Sequence, residues 1–169
     1  MKTTINNNKV IIINGTGGSG KDTFVKLCQN HCSKVMNYSS IEFVKKIARE
    51  CGWEGAKYEK DRKFLSDLKD LLTEYNNIPF KDMDKFIYAC RNKVVFLHIR
   101  EPQEIEKAKK HFNAITLLIQ NPNVSLIESN HADREVKNYN YDYYINNDGT
   151  LQDLEYKAIK FMEEEILND

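Results

Sequence analysis

The sequence has few arginines, prolines and glycines, a single tryptophan, no net charge and no long apolar run. Acidic and basic residues balance at 25 each and the sequence pI is near 6.9, so no global basic field marks nucleic acid as the main partner. No apolar stretch approaches the roughly 20 residues that cross a bilayer, and residues 1–9 are too polar for a signal peptide. We therefore expect no nucleic-acid partner and no membrane association.

The four cysteines, Cys28, Cys32, Cys51 and Cys90, form no paired disulfide framework, which is typical of a protein of the reducing cytoplasm. Cys28 and Cys32 lie beside His31 in a spacing that invites a zinc interpretation. No second group of ligands follows downstream, so we interpret both as ordinary thiols.

Glycine, scarce elsewhere, is concentrated in one place. Four of the seven glycines lie in residues 14–23, which read NGTGGSGKDT, between an apolar run at 10–13 and an amphipathic segment from residue 24. Strand, glycine-rich turn and helix with a lysine at this offset are the context of a phosphate-binding loop, the Walker A motif. Glycines let backbone N–H groups approach an anion, and the helix start adds its positive dipole end.

The loop therefore predicts binding of a nucleoside triphosphate. The residues expected to hold it are Gly15, Gly17, Gly18, Ser19, Gly20, Lys21 and Thr23.

After Lys21 the motif departs from its commonest form, because Asp22 stands where Ser or Thr usually meets Mg²⁺ and the hydroxyl follows at Thr23. In this the sequence resembles the P-loop kinases of the nucleoside monophosphate kinase group. Gly-Lys-Asp-Thr is most similar to the deoxynucleoside monophosphate kinases; the animal phosphomevalonate kinases share Gly-Lys-Asp, and adenylate kinases carry Gly-Lys-Gly-Thr. The resemblance implies ATP and Mg²⁺ as cofactors, with Asp22 and Thr23 near the metal. A second interpretation stays open, in which Asp22 only favours a helix N-terminus.

Residues 94–99 form a run too apolar for a one-sided strand, which predicts a central parallel strand buried on both faces. It leads into Arg100, and ligands of parallel sheets bind at the carboxyl ends of strands. At the end of this strand, the kinases that the sequence resembles carry a three-residue motif of an acidic residue, a variable residue and Arg. The resemblance implies that Arg100 binds the acceptor phosphate. His98 occupies the acidic position, and whether Asp22 or Glu101 replaces the missing carboxylate stays open. We interpret His98 as a strand-end histidine.

A short strand at 35–38 precedes a helix, and Ser39 with Glu42 predicts a capping box at its start. The resemblance implies that this strand end and helix border the acceptor, which nominates Tyr38, Ser40 and Lys45.

Arginine is rare, at five residues among 25 basic ones, so each arginine marks a place where a planar, bidentate cation is useful. Arg62 lies early in a predicted helix at 57–76, within a helical region at 52–92, and resembles the acceptor-phosphate arginine of deoxynucleotide kinases. A further helix is predicted at 81–91. Arg134 lies in the long polar stretch 120–139, which is either an active-site lid or a surface excursion. The lid interpretation makes Arg134 a catalytic residue.

Residues 141–150 resemble the last strand and turn of many P-loop kinases, where the turn lies beside the donor base. This implies that Asn147 and Gly149 contact adenine, although tight-turn chemistry alone also explains the sequence. Thr150 and Asp153 predict a capping box for the closing helix.

We expect residues 1–169 to form one P-loop domain of the nucleotide kinase type: a three-layer α/β sandwich with a five-stranded parallel sheet, as a monomer or homodimer. The predicted function is ATP-dependent phosphoryl transfer to a small phosphorylated acceptor, with Lys21, Asp22, Arg100 and Arg134 in catalytic roles. A (deoxy)nucleoside monophosphate is the expected acceptor. The alternatives are phosphomevalonate, dephospho-coenzyme A or a similar metabolite, and a regulator that binds ATP without transferring phosphate.

Overall fold

A computed structural model describes residues 7–56, 58–124 and 136–168. Five strands form one parallel sheet in the order β2-β3-β1-β4-β5, so β1 lies at its centre. The predicted α/β architecture is confirmed. The strands are β1 Lys9–Asn14, β2 Val35–Ser39, β3 Val94–His98, β4 Ile115–Gln120 and β5 Tyr143–Asn146.

The described residues form six α-helices besides the strands. They are α1 Lys21–His31, α2 Glu42–Glu50, α3 Glu59–Asn76, α4 Ile78–Ala89, α5 Pro102–Phe112 and α6 Leu151–Phe161. A 3-10 turn at Val136–Asn138 precedes β5, and a π-helical turn at Met162–Ile166 continues α6. No helix among the described residues has the length and apolar character needed to cross a bilayer.

The chain divides into two compact units. The first unit comprises residues 1–37 and 92–169, and the second comprises residues 38–91. The organisation expected from the sequence, one kinase domain in which 52–92 serves the acceptor side, stays a prediction.

In the first unit, helices cover both faces of the sheet. On one face, α1 and α6 pack together, and Phe24 of α1 meets Phe96 of β3 and Phe161 of α6 with ring centroids 6.4 Å and 6.0 Å away. On the other face lies α5, which contacts β1 and β4 and buries Ile105 and Ala108. The central strands are therefore sealed from water on both sides, as their unbroken apolar sequences predicted.

The second unit is a group of three helices, in which α2 contacts α3 and α4, and α3 contacts α4. Val44 and Ala48 of α2 and Met83 and Ile87 of α4 are buried. None of the 18 residues of α3 is buried to the same degree.

Three helix starts differ from the predictions, and the smallest difference is at α3, which begins at Glu59 instead of residue 57. The Ser39–Glu42 capping box is wrong: Ser39 is the last residue of β2, α2 begins at Glu42 after Ile41, and no side chain caps it. Helix α4 begins at Ile78 instead of residue 81, because Asn77 adopts a left-handed conformation (φ 51°) that ends α3 and starts α4 at once. The Thr150–Asp153 capping box is confirmed.

Candidate phosphate-binding site

The glycine-rich loop connects β1, at the centre of the sheet, to α1. Residue 14 ends the strand and Lys21 starts the helix, so the predicted succession of strand, glycine-rich turn and helix is confirmed. Within the loop the Ser19 amide donates to the Thr16 carbonyl oxygen at 3.1 Å. Gly18 and Gly20 have φ angles of 78° and 92°, a left-handed backbone that other residues rarely adopt.

Two of the glycines are also required by their close neighbours. A Cβ on Gly15 would lie 2.7 Å from the backbone oxygen of Ile119, at the end of β4, and a Cβ on Gly20 would collide with the side-chain amide of Asn147. Real Cβ atoms do not approach other atoms so closely. The loop is therefore packed tightly against β4 and the turn after β5.

The start of α1 has the properties of an anion site. No side chain caps it, and the first N–H groups of a helix have no intrahelical partners. Lys21 is half-buried at this start, while Asp22 and Thr23 are exposed in the first turn. Ser19 is fully buried, and its Oγ has no hydrogen-bond partner among the described residues. Backbone amides of the loop and the Lys21 ammonium can thus hold phosphate groups.

The sequence interpretation missed Asn14, which anchors the loop from the end of β1. Its side chain is 1% exposed; its Oδ1 accepts from the Gly15 amide at 2.8 Å, and its Nδ2 donates to the Arg100 carbonyl oxygen at 3.1 Å and to the Tyr141 hydroxyl at 2.8 Å. A polar residue closing an apolar strand was the available signal. A buried amide at that position must find partners.

Asn147 holds the other end of the loop. Its Nδ2 donates to the Ser19 carbonyl oxygen at 3.0 Å, and its backbone amide donates to the Gln120 carbonyl oxygen at 2.6 Å. Lys157 of α6 fixes the same turn through the Asn146 carbonyl oxygen, at 2.6 Å. Asn147 thus supports the loop backbone, while its predicted contact with adenine, and that of the exposed Gly149, stay predictions.

His98 and Asp22 lie next to each other across the end of β3 and the start of α1. The His98 Nδ1 is 3.5 Å from the Asp22 Oδ1, and the two side chains are 13% and 81% exposed. The described residues contain no group of three acidic, histidine or cysteine side chains arranged around a metal. Mg²⁺ with a nucleotide needs only one or two protein ligands besides the phosphates, and the exposed side chains of Asp22 and Thr23 fit that requirement.

Arg100 follows β3 by two residues and is half-buried. Strands β1 and β3 are parallel neighbours, so Arg100 and the loop lie at the same edge of the sheet, and the Asn14 hydrogen bond joins them directly. The Arg100 backbone thus lies beside the loop, while the role of its side chain in binding the acceptor phosphate stays a prediction.

The predicted acceptor residues Tyr38, Ser40, Lys45 and Arg62 belong to the second unit. The Tyr38 hydroxyl donates to the Asp82 carboxylate, and its ring stacks on Phe86 at 4.5 Å. Burial, followed by the contact with Asp82, raises the pKa of Tyr38. Ser40 and Lys45 are half-buried, and Arg62 is exposed in the first turn of α3. Their acceptor role stays a prediction.

Arg134 lies outside the described residues, as does most of the predicted lid at 120–139. On the near side of that stretch, the Val124 side chain faces Gly18, at 3.4 Å from where a Cβ would be.

The chain matches no protein-family model and no curated protein sequence. Its fold resembles solved structures over nearly its whole length. The protein TT1252 from Thermus thermophilus is 21% identical, with 94% of this chain and 98% of that chain covered and a TM-score of 0.57. Dephospho-CoA kinase from Campylobacter jejuni is 18% identical, with 93% and 97% covered and a TM-score of 0.55. Shikimate kinase from Aquifex aeolicus is 18% identical, with 95% and 99% covered and a TM-score of 0.51.

At these identities the likeness shows the fold alone. Two of the three similar chains are kinases by name, and the parallel sheet and glycine loop described above belong to that same fold.

Proposed function

We propose that the protein is an ATP- and Mg²⁺-dependent phosphotransferase whose acceptor is a small phosphorylated molecule, namely a (deoxy)nucleoside monophosphate. The observation that carries the proposal is the loop between β1 and α1. It combines two left-handed glycines, Gly18 and Gly20, with an uncapped helix start and Lys21. Such a loop binds the phosphates of a nucleotide through its backbone.

On the donor side, the amides of residues 15–23 and the Lys21 ammonium would hold the phosphates, and Asp22 and Thr23 would order Mg²⁺. Bound Mg-ATP would supply the γ-phosphoryl group. Phosphoryl transfer requires positioning and charge neutralisation more than covalent chemistry from the protein, and the buried anchoring of the loop by Asn14 supports such positioning.

On the acceptor side, Arg100 would bind the acceptor phosphate and Arg134 would approach the transferring group. We also propose that the acceptor contacts Arg62, Tyr38, Ser40 and Lys45. The support for Arg100 is its place at the sheet edge that carries the loop. The support for the others is the resemblance of their sequence positions. The four cysteines, all within the described part of the chain, form no disulfide with one another, which is typical of a protein of the reducing cytoplasm.

The test is acceptor-stimulated release of ADP from Mg-ATP. The panel contains the common ribo- and deoxyribonucleoside monophosphates, with phosphomevalonate, dephospho-coenzyme A and shikimate as non-nucleotide acceptors. We expect stimulation by one group of nucleoside monophosphates. Stimulation by a non-nucleotide acceptor alone would show that the acceptor is that molecule and not a nucleoside monophosphate. ATP binding without any transfer would favour an ATP-binding regulator.

Replacing Arg100 tests the acceptor side. Arg100→Ala removes the proposed phosphate contact, so we expect the acceptor KM to rise about 10- to 100-fold while the KM for ATP changes little. Arg91→Ala, at an exposed arginine, is the matched control. An unchanged acceptor KM in Arg100→Ala would remove Arg100 from the site.

A further inference from the structure

Asn14 contacts both halves of the proposed site, although it belongs to neither. Through Oδ1 it holds the amide of Gly15, the first residue of the phosphate loop, and through Nδ2 it holds the backbone of Arg100. The two distances are 3.1 Å to the Arg100 oxygen and 2.8 Å from the Gly15 nitrogen. One amide group therefore spans the elements that would carry the donor and the acceptor phosphates.

The hydrogen bonds of Tyr141 show which way the Asn14 amide points. The Tyr141 hydroxyl has one hydrogen, which it donates to the Val136 carbonyl oxygen at 3.0 Å, so towards Asn14 it acts as an acceptor. Burial raises the pKa of Tyr141 to about 12, which keeps this hydrogen in place near neutral pH. The Nδ2 group must then face Tyr141 and Arg100, and Oδ1 must face Gly15.

The side-chain oxygen and nitrogen of Asn14 and the hydroxyl of Tyr141 all have hydrogen-bond partners, and these side chains are buried. Asn14 is 1% exposed, Val136 1% and Tyr141 6%. A fully satisfied polar network inside a protein is rigid, because breaking any bond leaves a buried group without a partner. The spacing between Gly15 and Arg100 is thus held by directional bonds in addition to sheet packing.

We propose that Asn14 is a positioning residue that sets the distance between the phosphate loop and Arg100, and so between the donor and acceptor phosphates. The inference rests on the proposed phosphotransferase function. It assigns to Asn14 no contact with either substrate.

Asn147 provides the comparison that isolates this role. It holds the far end of the same loop at the Ser19 oxygen, at 3.0 Å, and its backbone amide bonds to Gln120 of β4. Disturbing either asparagine loosens the loop, but only Asn14 links the loop to Arg100. Substitution of Asn14 is therefore expected to change the acceptor KM, and substitution of Asn147 the KM for ATP.

The experiment measures kcat and both KM values for Asn14→Asp, Asn147→Ala and Tyr141→Phe, well below the thermal midpoint of each variant. Asn14→Asp keeps the size and the acceptor for Gly15, but it sets a carboxylate oxygen against the Arg100 carbonyl oxygen. We expect the acceptor KM to rise about 10- to 100-fold, as misplacement near 1 Å produces. Asn147→Ala should raise the KM for ATP and leave the acceptor KM within about threefold.

Tyr141→Phe is the structural control, since it removes a buried hydroxyl but leaves the Asn14–Arg100 bond. We expect a lower thermal midpoint and an acceptor KM within about threefold of the wild type. An acceptor KM in folded Asn14→Asp that matches the wild type would overturn the proposal. Equal effects on the acceptor KM in Asn14→Asp and Tyr141→Phe would overturn it too, because the role would then be structural.

A second measurement needs no variant and no catalysis. If Asn14 holds the loop, the Gly15 amide should exchange its hydrogen slowly in the nucleotide-free wild type, because its acceptor is buried. An unprotected Gly15 amide would overturn the proposal even if Asn14→Asp did not fold. Failure of the wild type to transfer phosphate to any acceptor would instead contradict the proposed function, and the exchange of Gly15 would still decide whether Asn14 anchors the loop.

Discussion

Helices α1 and α6 make an informative pair, because each has 11 residues, follows a strand of the same parallel sheet and packs on the same face. Their starts differ. In α6, Thr150 and Asp153 satisfy each other's backbone amides, with the Thr150 amide 2.7 Å from the Asp153 carboxylate and the Asp153 amide 3.2 Å from the Thr150 hydroxyl. In α1, Gly20 precedes the helix with φ 92° and no side chain caps it.

The difference shows what separates a structural helix start from a ligand-binding one. Absence of a cap is not sufficient, since α5 also begins without one. The distinguishing features of α1 are the left-handed glycines, the lysine at its first position and the anchoring of the loop by Asn14 and Asn147. The start of α6 uses its amides internally, whereas no side chain occupies those of α1, and in the proposed function they bind phosphate.

The largest expected effect comes from removing the charge at the start of α1. Lys21→Ala should lower phosphoryl transfer about 100- to 1000-fold, because a preorganised group facing the developing charge is lost. Lys26→Ala, at an exposed lysine further along the same helix, is the matched control and should change turnover by less than about twofold. The measurement is ADP release under saturating acceptor, and equal rates in the two variants would contradict the assignment of Lys21.

The next effect concerns the left-handed glycine before α1. Gly20→Ala should destabilise the fold and weaken ATP binding, because Ala resists a φ of 92° and its Cβ would meet the Asn147 amide. The matched control is Gly52→Ala, which has the same φ but no atom within 4 Å of the new Cβ.

Backbone strain alone costs about 1–2 kcal/mol, so Gly52→Ala should lose that much stability and Gly20→Ala clearly more. Chemical denaturation measures both. An identical loss in the two variants would show that the contact with Asn147 does not constrain the loop.

A smaller effect is expected at the start of α6. Thr150→Ala removes the capping box and should cost about 1 kcal/mol, which corresponds to a thermal midpoint about 2–4 °C lower for a chain of this size. Because this start binds no phosphate in our account, the ATP affinity should not change. Weaker ATP binding in this variant would contradict the claim that the start of α6 has only a structural role.

The smallest effect is the pH dependence of the α6 cap. Hydrogen bonds from the Thr150 backbone and then its hydroxyl, with the nearby Lys157, hold the pKa of Asp153 below the usual range of an aspartate. A depressed pKa means that the cap stabilises the fold above about pH 3.9, the unfolded value, and loses this contribution as the pH falls further.

Asp153→Asn cannot titrate, so its thermal midpoint should fall less steeply between neutral and acidic pH than that of the wild type. The pair of melting series across pH measures this difference. Parallel series would contradict the depressed pKa.

Much of the fold could be predicted from the sequence because local patterns decided it. The apolar run at β3 predicted a parallel strand buried on both faces, and the apolar run at β1 with the glycine loop and Lys21 predicted the strand–loop–helix connection. The capping box of α6 was correct because it requires only two residues three positions apart.

The errors came from tertiary context. Ser39 and Glu42 have the spacing of a capping box, but β2 extends through Ser39 and shifts the helix start to Glu42. Asn14 was missed because its three partners, at Gly15, Arg100 and Tyr141, are brought together only by the sheet. The bond of Asn147 to the Ser19 oxygen was also missed, because it could not be seen in the sequence, while the contact of Asn147 with adenine stays a prediction.

The most direct test of the account is calorimetric titration of Mg-ATP into the wild type, Lys21→Ala and Thr150→Ala. We predict saturable binding at one site per chain in the wild type, the same affinity in Thr150→Ala and binding at least about tenfold weaker in Lys21→Ala. Absence of binding in the wild type, or equal affinity in all three proteins, would contradict the claim that the start of α1 is the phosphate site.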